Sequence, residues 1–378
     1  MPLLGHHGHH GHHGHHGHHG HHGHHGHHGA APGAGSPLLA TAMALTAEAL
    51  TGYWDGTGTA PAGGPATPWA HLRGLQPDAR AAVLHHEAMS LFSVEPDGSG
   101  AFALMQGSGK RLTLTPPTVA HLIGEPMQQV RAAMDLRADR LPEILVQRDD
   151  LLSFFGAQQR LDPGRKRWTL ELLNAAYGTV TAQEMRMKHF CSVVRPHDLS
   201  PQVQPVIATP GHSAYPSGHA TEAFAIATVL AALVLSPATP AADIPAAVLA
   251  RLTADPAQQS GNGPQRADPV LMLFRLATRI ADNRTVAGVH YPTDSAHGGL
   301  LGLATGLGFV AHCLGGGSLP CWAARGDDWC GPFTLSGFRD ALGADAPAGW
   351  SGPKAPVAAP KDWHILPALW AAAAAEWA

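Results

Sequence analysis

Residues 218–235 read GHATEAFAIATVLAALVL, and this stretch decides the fold. After Glu222 it carries no charge until Ser236 and Pro237 close it. Its apolar run, Ala223–Leu235, is about 13 residues, short of the roughly 20 predominantly apolar residues that a membrane span takes. It reads instead as a helix buried on all sides. A second apolar run, Gly298–Leu314, is broken by glycines and by His312. Two such helices at the centre of one chain predict a helical core, and the expectation is a protein that is not integral to a membrane.

Working outward, the pattern predicts helices over Leu38–Leu50, Pro77–Phe92, Val119–Leu136, Leu141–Phe155 and Trp168–Val194. Others fall at about 218–235, 244–253, 268–287 and 293–314. A short hairpin suits 94–115, around Asp97-Gly98 and Gly107–Gly109. No strand run is evident after residue 116, and the tail beyond Gly315 reads as mostly irregular. The fold class expected is all-α, a helical bundle. Four regions are expected: a tail and linker (1–36), an N-terminal helical region (37–165), a catalytic bundle (166–315) and a C-terminal segment packing on it (316–378).

Composition narrows the function. Residues 5–28 are Gly-His-His repeats with nothing to bury, so disorder is expected there. Imidazoles in such a tract suit nickel, zinc or copper, and its regularity equally suits a purification tag. The net charge of −4 gives no electrostatic footprint for nucleic acid. Cys191, Cys313, Cys321 and Cys330 form no CxxC pair, and free thiols are favoured over a Cys321–Cys330 disulfide. The N-terminus has no basic segment followed by a long apolar one, so no signal peptide is expected in the chain as it stands. Compartment and oligomeric state stay open. Trp363, Trp370 and Trp377, spaced by seven, read as a packing stripe.

Three segments carry chemistry. In Lys188–Pro196 (KHFCSVVRP), Lys188 and Arg195 are two helical turns apart, and Pro196 places Arg195 at a helix end. Two cations held together need an anion between them. In Tyr215–Ala220 (YPSGHA), a Pro-Ser-Gly turn opens the apolar helix, whose free N–H groups make an anion site. Ser217 adds a hydroxyl, Gly218 a close backbone approach and His219 an acid–base group. In Arg284–Asp294 (RTVAGVHYPTD), Gly288 ends one helix and Pro292 starts the next. His290 then sits in the junction, where Asp294 can hold one ring nitrogen and leave the other free to attack or ligate. Together Lys188, Arg195, Ser217, Gly218 and Arg284 form a donor set for an oxyanion. His297 and His189 fall just outside it.

In that order these motifs resemble the three signatures of the type 2 phosphatidic acid phosphatase and vanadium haloperoxidase superfamily, over roughly residues 185–297. The resemblance implies an all-α bundle binding phosphate or vanadate. Lys188, Arg195, Ser217, Gly218 and Arg284 would hold the equatorial oxygens. His219 would contact the apical oxygen or protonate the leaving group. His290 would ligate vanadium in a peroxidase or carry phosphate in a phosphatase, oriented by Asp294. Asn283, where the family usually has serine, lies outside the direct donors.

Flanking features lean toward the peroxidase branch. The connection from His219 to Arg284 is long, and Thr209–Pro216 (TPGHSAYP) resembles the peroxidase form of that loop. His212 matches a position where bromoperoxidases often carry histidine, a possible halide site. Met185 points the other way, since those peroxidases tend to have arginine or tryptophan there. The leading expectation is a vanadate-dependent enzyme oxidising bromide or iodide with hydrogen peroxide. The alternative is a soluble acid phosphatase acting on phosphomonoesters with no cofactor.

Overall fold

The computed structural model describes residues 37–50, 58, 67–254, 268–343 and 350–378. The Gly-His-His tract lies outside the described residues. Helices α1 (Pro37–Leu50), α2 (Pro68–Gly74) and α3 (Pro77–Met89) lead into strands β1 (Phe92–Pro96), β2 (Phe102–Gln106) and β3 (Gly109–Thr115). Helices α4 (Glu125–Ala133), α5 (Arg137–Asp149), α6 (Leu152–Gln159) and α7 (Arg167–Cys191) follow. The core helices are α8 (Gly218–Leu235), α9 (Ile244–Thr253), α10 (Pro269–Val286) and α11 (Pro292–Cys313). Strand β4 (Gly317–Arg325), helix α12 (Leu335–Leu342), strand β5 (Ser351–Val357) and helix α13 (Leu366–Ala375) complete the chain.

The all-α expectation is corrected by a five-stranded mixed sheet in the order β1-β2-β3-β4-β5. The hairpin region forms its antiparallel half. The tail supplies the rest: β4 runs parallel to β3, with Leu112 opposite Trp322, and β5 pairs antiparallel with β4. The tail strands hide from a sequence pattern for a physical reason. β4 contains Gly317 and Pro320, and the edge strand β5 contains Pro353 and Pro356. Proline is tolerated on an edge, where no ladder donor is needed. Pairing with β3, some 200 residues away, supplies what local propensity does not.

Helix α8 is the axis of the bundle. It is the one described helix long and apolar enough to cross a membrane, and most of it is buried inside the fold. It crosses α11 at backbone contact. A Cβ on Gly302 would lie 2.1 Å from the Thr221 carbonyl oxygen, and one on Gly298 2.4 Å from that of Ser217. These glycines let the start of α8 sit against the first turn of α11, where the Ser217 amide donates to the Asp294 carbonyl (2.9 Å). The tail caps this pair with aromatics: Phe338 packs on Phe224 at 4.7 Å, and Trp350 and Trp329 stack beside it.

Other boundaries shift. The segment 119–136 breaks at Gly124 into a single turn and α4, and Phe92 opens β1 rather than closing α3. The tryptophan stripe does not form: Trp370 is buried in α13, while Trp363 precedes that helix and is 60% exposed. All four cysteines are free.

Candidate oxyanion site

The site is built by three chain reversals. Helix α7 ends at Ser192, in the left-handed region at φ 50°, with its amide on the Lys188 carbonyl. The chain then folds back beside residues 212–215, with Val193 N–H on Ser213 Oγ (2.9 Å) and Ala214 N–H on the Val193 carbonyl (2.9 Å). Lys188 and Arg195 therefore do not share one helix face, as their spacing suggested. They meet because both donate to the Ser213 carbonyl, each at 3.2 Å.

The second reversal ends α10. Gly288 at φ 81° donates to the Thr285 carbonyl and Val289 to that of Arg284, the paired bonds of a Schellman motif. Ile144 of α5 packs with Val286, Ala287 and Val289, and the Arg137 guanidinium binds the carbonyls of Val286, Val203 and Gln204. The third opens α11. Pro292 takes the first helical position, and Asp294 Oδ2 accepts from the Tyr291 amide (2.9 Å). Arg195-Pro196 repeats the device, with Asp198 Oδ2 accepting from the Arg195 amide (2.9 Å).

His290 Nδ1 lies 3.1 Å from Asp294 Oδ2. A carboxylate only accepts, so Nδ1 carries the proton and Nε2 the lone pair. Burial, then the cations Arg195 and Lys188, hold His290 well below the usual imidazole range. Burial likewise raises the Asp294 carboxyl. Both shifts work against full ionisation, so the contact is a hydrogen bond to neutral imidazole rather than an ion pair. The second oxygen of Asp294 is buried without a partner.

Arg195 uses all five of its N–H groups. They reach the carbonyls of His212 (3.1 Å), Val289 (2.7 Å) and Ser213, together with His290 Nε2 (3.0 Å) and His212 Nδ1 (3.2 Å). Lys188 spends two of three protons, on Ser213 and on the Pro216 carbonyl (2.5 Å). Burial draws Lys188 down to about 8 and Arg284 to about 10. Arg284 donates only through Nη2, to Gln147 Oε1 (3.1 Å) and the Ile144 carbonyl (3.3 Å). Its Nε and Nη1, and the Ser217 hydroxyl, are buried with no partner. Unsatisfied buried donors are costly, and an acceptor that reaches them would relieve that cost.

His219 is half-buried, with Nε2 on the Gln147 carbonyl (3.1 Å), so that nitrogen carries the proton. Burial, then Arg284, keeps the ring neutral well below its ordinary range. His212 is also half-buried, facing a pocket of about 390 Å³ lined by Ser192–Arg195, His197, Asp198 and Thr209–Ser213. His297 is buried on α11 against Tyr215 and Trp350, with Nδ1 on the Thr293 carbonyl (2.8 Å). His189 is exposed.

Three side chains were not singled out from the sequence. Gln147 of α5 accepts from Arg284 and Asn283 (2.9 Å) through Oε1 while its carbonyl holds His219. Its own Nε2 is buried and unpartnered. Asn283, set aside from the sequence, thus fixes Gln147, and it also accepts from Arg140 (2.8 Å). Glu184, one turn before Lys188, is buried against Gly218: a Cβ there would lie 2.5 Å from Glu184 Oε1. Burial, then the neighbouring Glu222, raises Glu184 well above the carboxylate range, and burial raises Glu222 to about 7. Glu222 was visible as the lone charge of the α8 run. Gln147 offered no such signal, because only the packing of α5 on α10 brings it in.

No curated protein matches the chain. Residues 168–314, which carry all three motifs, match the model of the PAP2 superfamily.

Proposed function

We propose that the chain is an oxyanion-dependent enzyme of the haloperoxidase type, oxidising bromide or iodide with hydrogen peroxide at a vanadate held by His290. One observation carries the oxyanion reading. Ser217 Oγ and Arg284 Nε and Nη1 are buried donors without partners, in a cradle whose histidine presents a lone pair. That donor chemistry fits a tetrahedral or trigonal oxyanion. His290 Nε2 would be the ligand nitrogen. Arg284, Ser217, Lys188, Arg195 and the free amide of Gly218 are the oxygen donors. Vanadate, when bound, supplies a Lewis acid that activates peroxide toward halide.

The protein's part is electrostatic and positional. Asp294 keeps the His290 proton on Nδ1, so Nε2 keeps its lone pair, which Arg195 Nη1 holds until a ligand displaces it. Arg195 must exchange one acceptor to reach a ligand oxygen, whereas Arg284 and Ser217 need no exchange. Burial, then Glu222, raises the Glu184 carboxyl beside Gly218, which weakens its repulsion of an anion. His219 keeps its proton at Nε2 on the Gln147 carbonyl. His212, hydrogen-bonded to Arg195 and facing the pocket, is where a halide would approach.

A second reading is a phosphatase with His290 as nucleophile. Glu184 favours it, because a buried acid at the anion site can protonate a leaving alcohol. Bromination of a dimedone-type acceptor, with peroxide and bromide, before and after adding orthovanadate, separates the two. Vanadate-dependent turnover that phosphate suppresses supports the peroxidase. No turnover in vanadate-loaded protein, with phosphate trapped on His290 from a phosphomonoester, supports the phosphatase.

A further inference from the structure

Glu87, His312 and His364 come from three distant parts of the chain. Glu87 lies in α3, His312 in the last turn of α11, and His364 just before α13. Their ligating atoms lie within 4.8 Å of one another. His312 is 18 residues beyond Asp294 on the same helix, about 27 Å along its axis. The cluster therefore stands at the far end of the bundle from the oxyanion site and does not depend on how that site is read.

Two observations point to a ligand. His312 is only 4% exposed, and its Nε2 is buried with no hydrogen-bond partner. A buried ring nitrogen normally finds one. Glu87 is equally committed to this place. Its two oxygens accept from the amides of Ile365 (2.7 Å) and Leu366 (3.0 Å), at the start of α13. Each oxygen keeps a second lone pair, so the carboxylate is fixed but not saturated. The His312 and His364 ring centroids lie 4.9 Å apart, with the planes tilted by 54°. Burial, then His364 beside it, draws His312 down to about 4, so the ring stays in the neutral form a metal needs. His364 Nδ1 accepts from the Lys361 amide (3.0 Å), and Trp363 packs edge-on against the ring at 4.2 Å. Ligation by His364 exchanges that hydrogen bond for a metal–nitrogen bond on the same ring.

We propose that Glu87, His312 and His364 bind a late first-row divalent cation, such as zinc, which ties α3, α11 and the segment entering α13 together. Two imidazoles and one carboxylate suit that ion class, and a fourth position is left for water. The ion would satisfy the unpartnered His312 nitrogen.

The test is thermal melting of the full chain, first freed of metal with a chelator, with and without zinc. Wild type is compared with His312→Leu and His364→Asn. All three carry the same Gly-His-His tract, so any zinc effect of the tract is common to them. Zinc should raise the wild-type midpoint in a saturable way, since free zinc at 100 times Kd favours the folded state about 100-fold. Both variants should lose that rise. Without metal, His312→Leu should melt at or above wild type, because it deletes an unpartnered buried nitrogen. An equal rise in the variants, or none in wild type, overturns the proposal. If His312→Leu does not fold, the half-buried His364→Asn decides alone.

Discussion

Arg195 Nη1 lies 3.0 Å from His290 Nε2, on the ring edge opposite the Asp294 contact. The imidazole is held at both nitrogens, by a carboxylate that fixes its proton and a guanidinium that occupies its lone pair. Any ligand of His290 must therefore draw Arg195 onto itself. His290→Ala should abolish stoichiometric binding of orthovanadate, measured by equilibrium dialysis. Retained stoichiometric binding would remove His290 from the site.

Asp294→Asn addresses the proton. An amide can present an N–H to Nδ1, which would move the ring proton to Nε2 and mask the lone pair. His290 Nδ1 and the Tyr291 amide both meet Oδ2, so an amide that turns its N–H to the ring gives up one cap of α11 and leaves the rest of that helix in place. Loss of such an orienting partner costs roughly 10- to 100-fold in affinity or activity. The expected result is that loss with an unchanged far-ultraviolet circular dichroism spectrum.

Ser217→Ala separates binding from stability. The hydroxyl is buried and has no partner, so its removal should leave the melting midpoint of the ligand-free protein unchanged or slightly higher. A hydrogen bond to a charged acceptor is worth about 1.5–3 kcal/mol. Anion affinity should fall accordingly, by about 10- to 150-fold. A large loss of stability without a loss of anion affinity would place the hydroxyl in the fold instead.

Glu222 makes stability depend on pH. Its folded pKa is raised from 4.5 to about 7 by burial. The stability this confers is fully present below the unfolded value and is lost as pH rises through the folded value. His219, His290, His297 and His312, all held below the usual imidazole range, act in the opposite sense, weakening the fold as pH falls below that range. The informative quantity is thus a difference. Glu222→Gln should gain on wild type progressively between about pH 4.5 and 7, followed by denaturant melts. A constant offset across that range would show that Glu222 does not titrate with folding.

Gly302→Ala tests the crossing that sets Ser217 on α11. The added methyl would meet the Thr221 carbonyl, a backbone atom that cannot swing aside. Overpacking of this kind costs about 1–3 kcal/mol or more. Lower stability together with weaker anion binding is expected, since Ser217 is carried on the same helix start.

The sequence by itself determined the parts whose causes are local. The α8 run reads as a helix apolar on all sides, and the proline and glycine punctuation at Ser192–Pro196, Gly288 and Pro292 set the turns that aim Arg195 and His290. Their helix caps come from residues within five positions, while Ser213 and Arg137 brace two of them from far along the chain. The tertiary structure decided what depends on distant partners. The prolines of β5 and the glycine of β4 give no strand signal until β3 supplies the ladder, and so the all-α expectation failed. Lys188 and Arg195 share a carbonyl through the fold-back at Ser213, not through helical spacing. Gln147 and Glu184 join the cradle only because α5 packs on α10 and α7 on α8. Hydrogen-bond partners remote in sequence leave no periodic trace, and here they fix where the buried donors are left open.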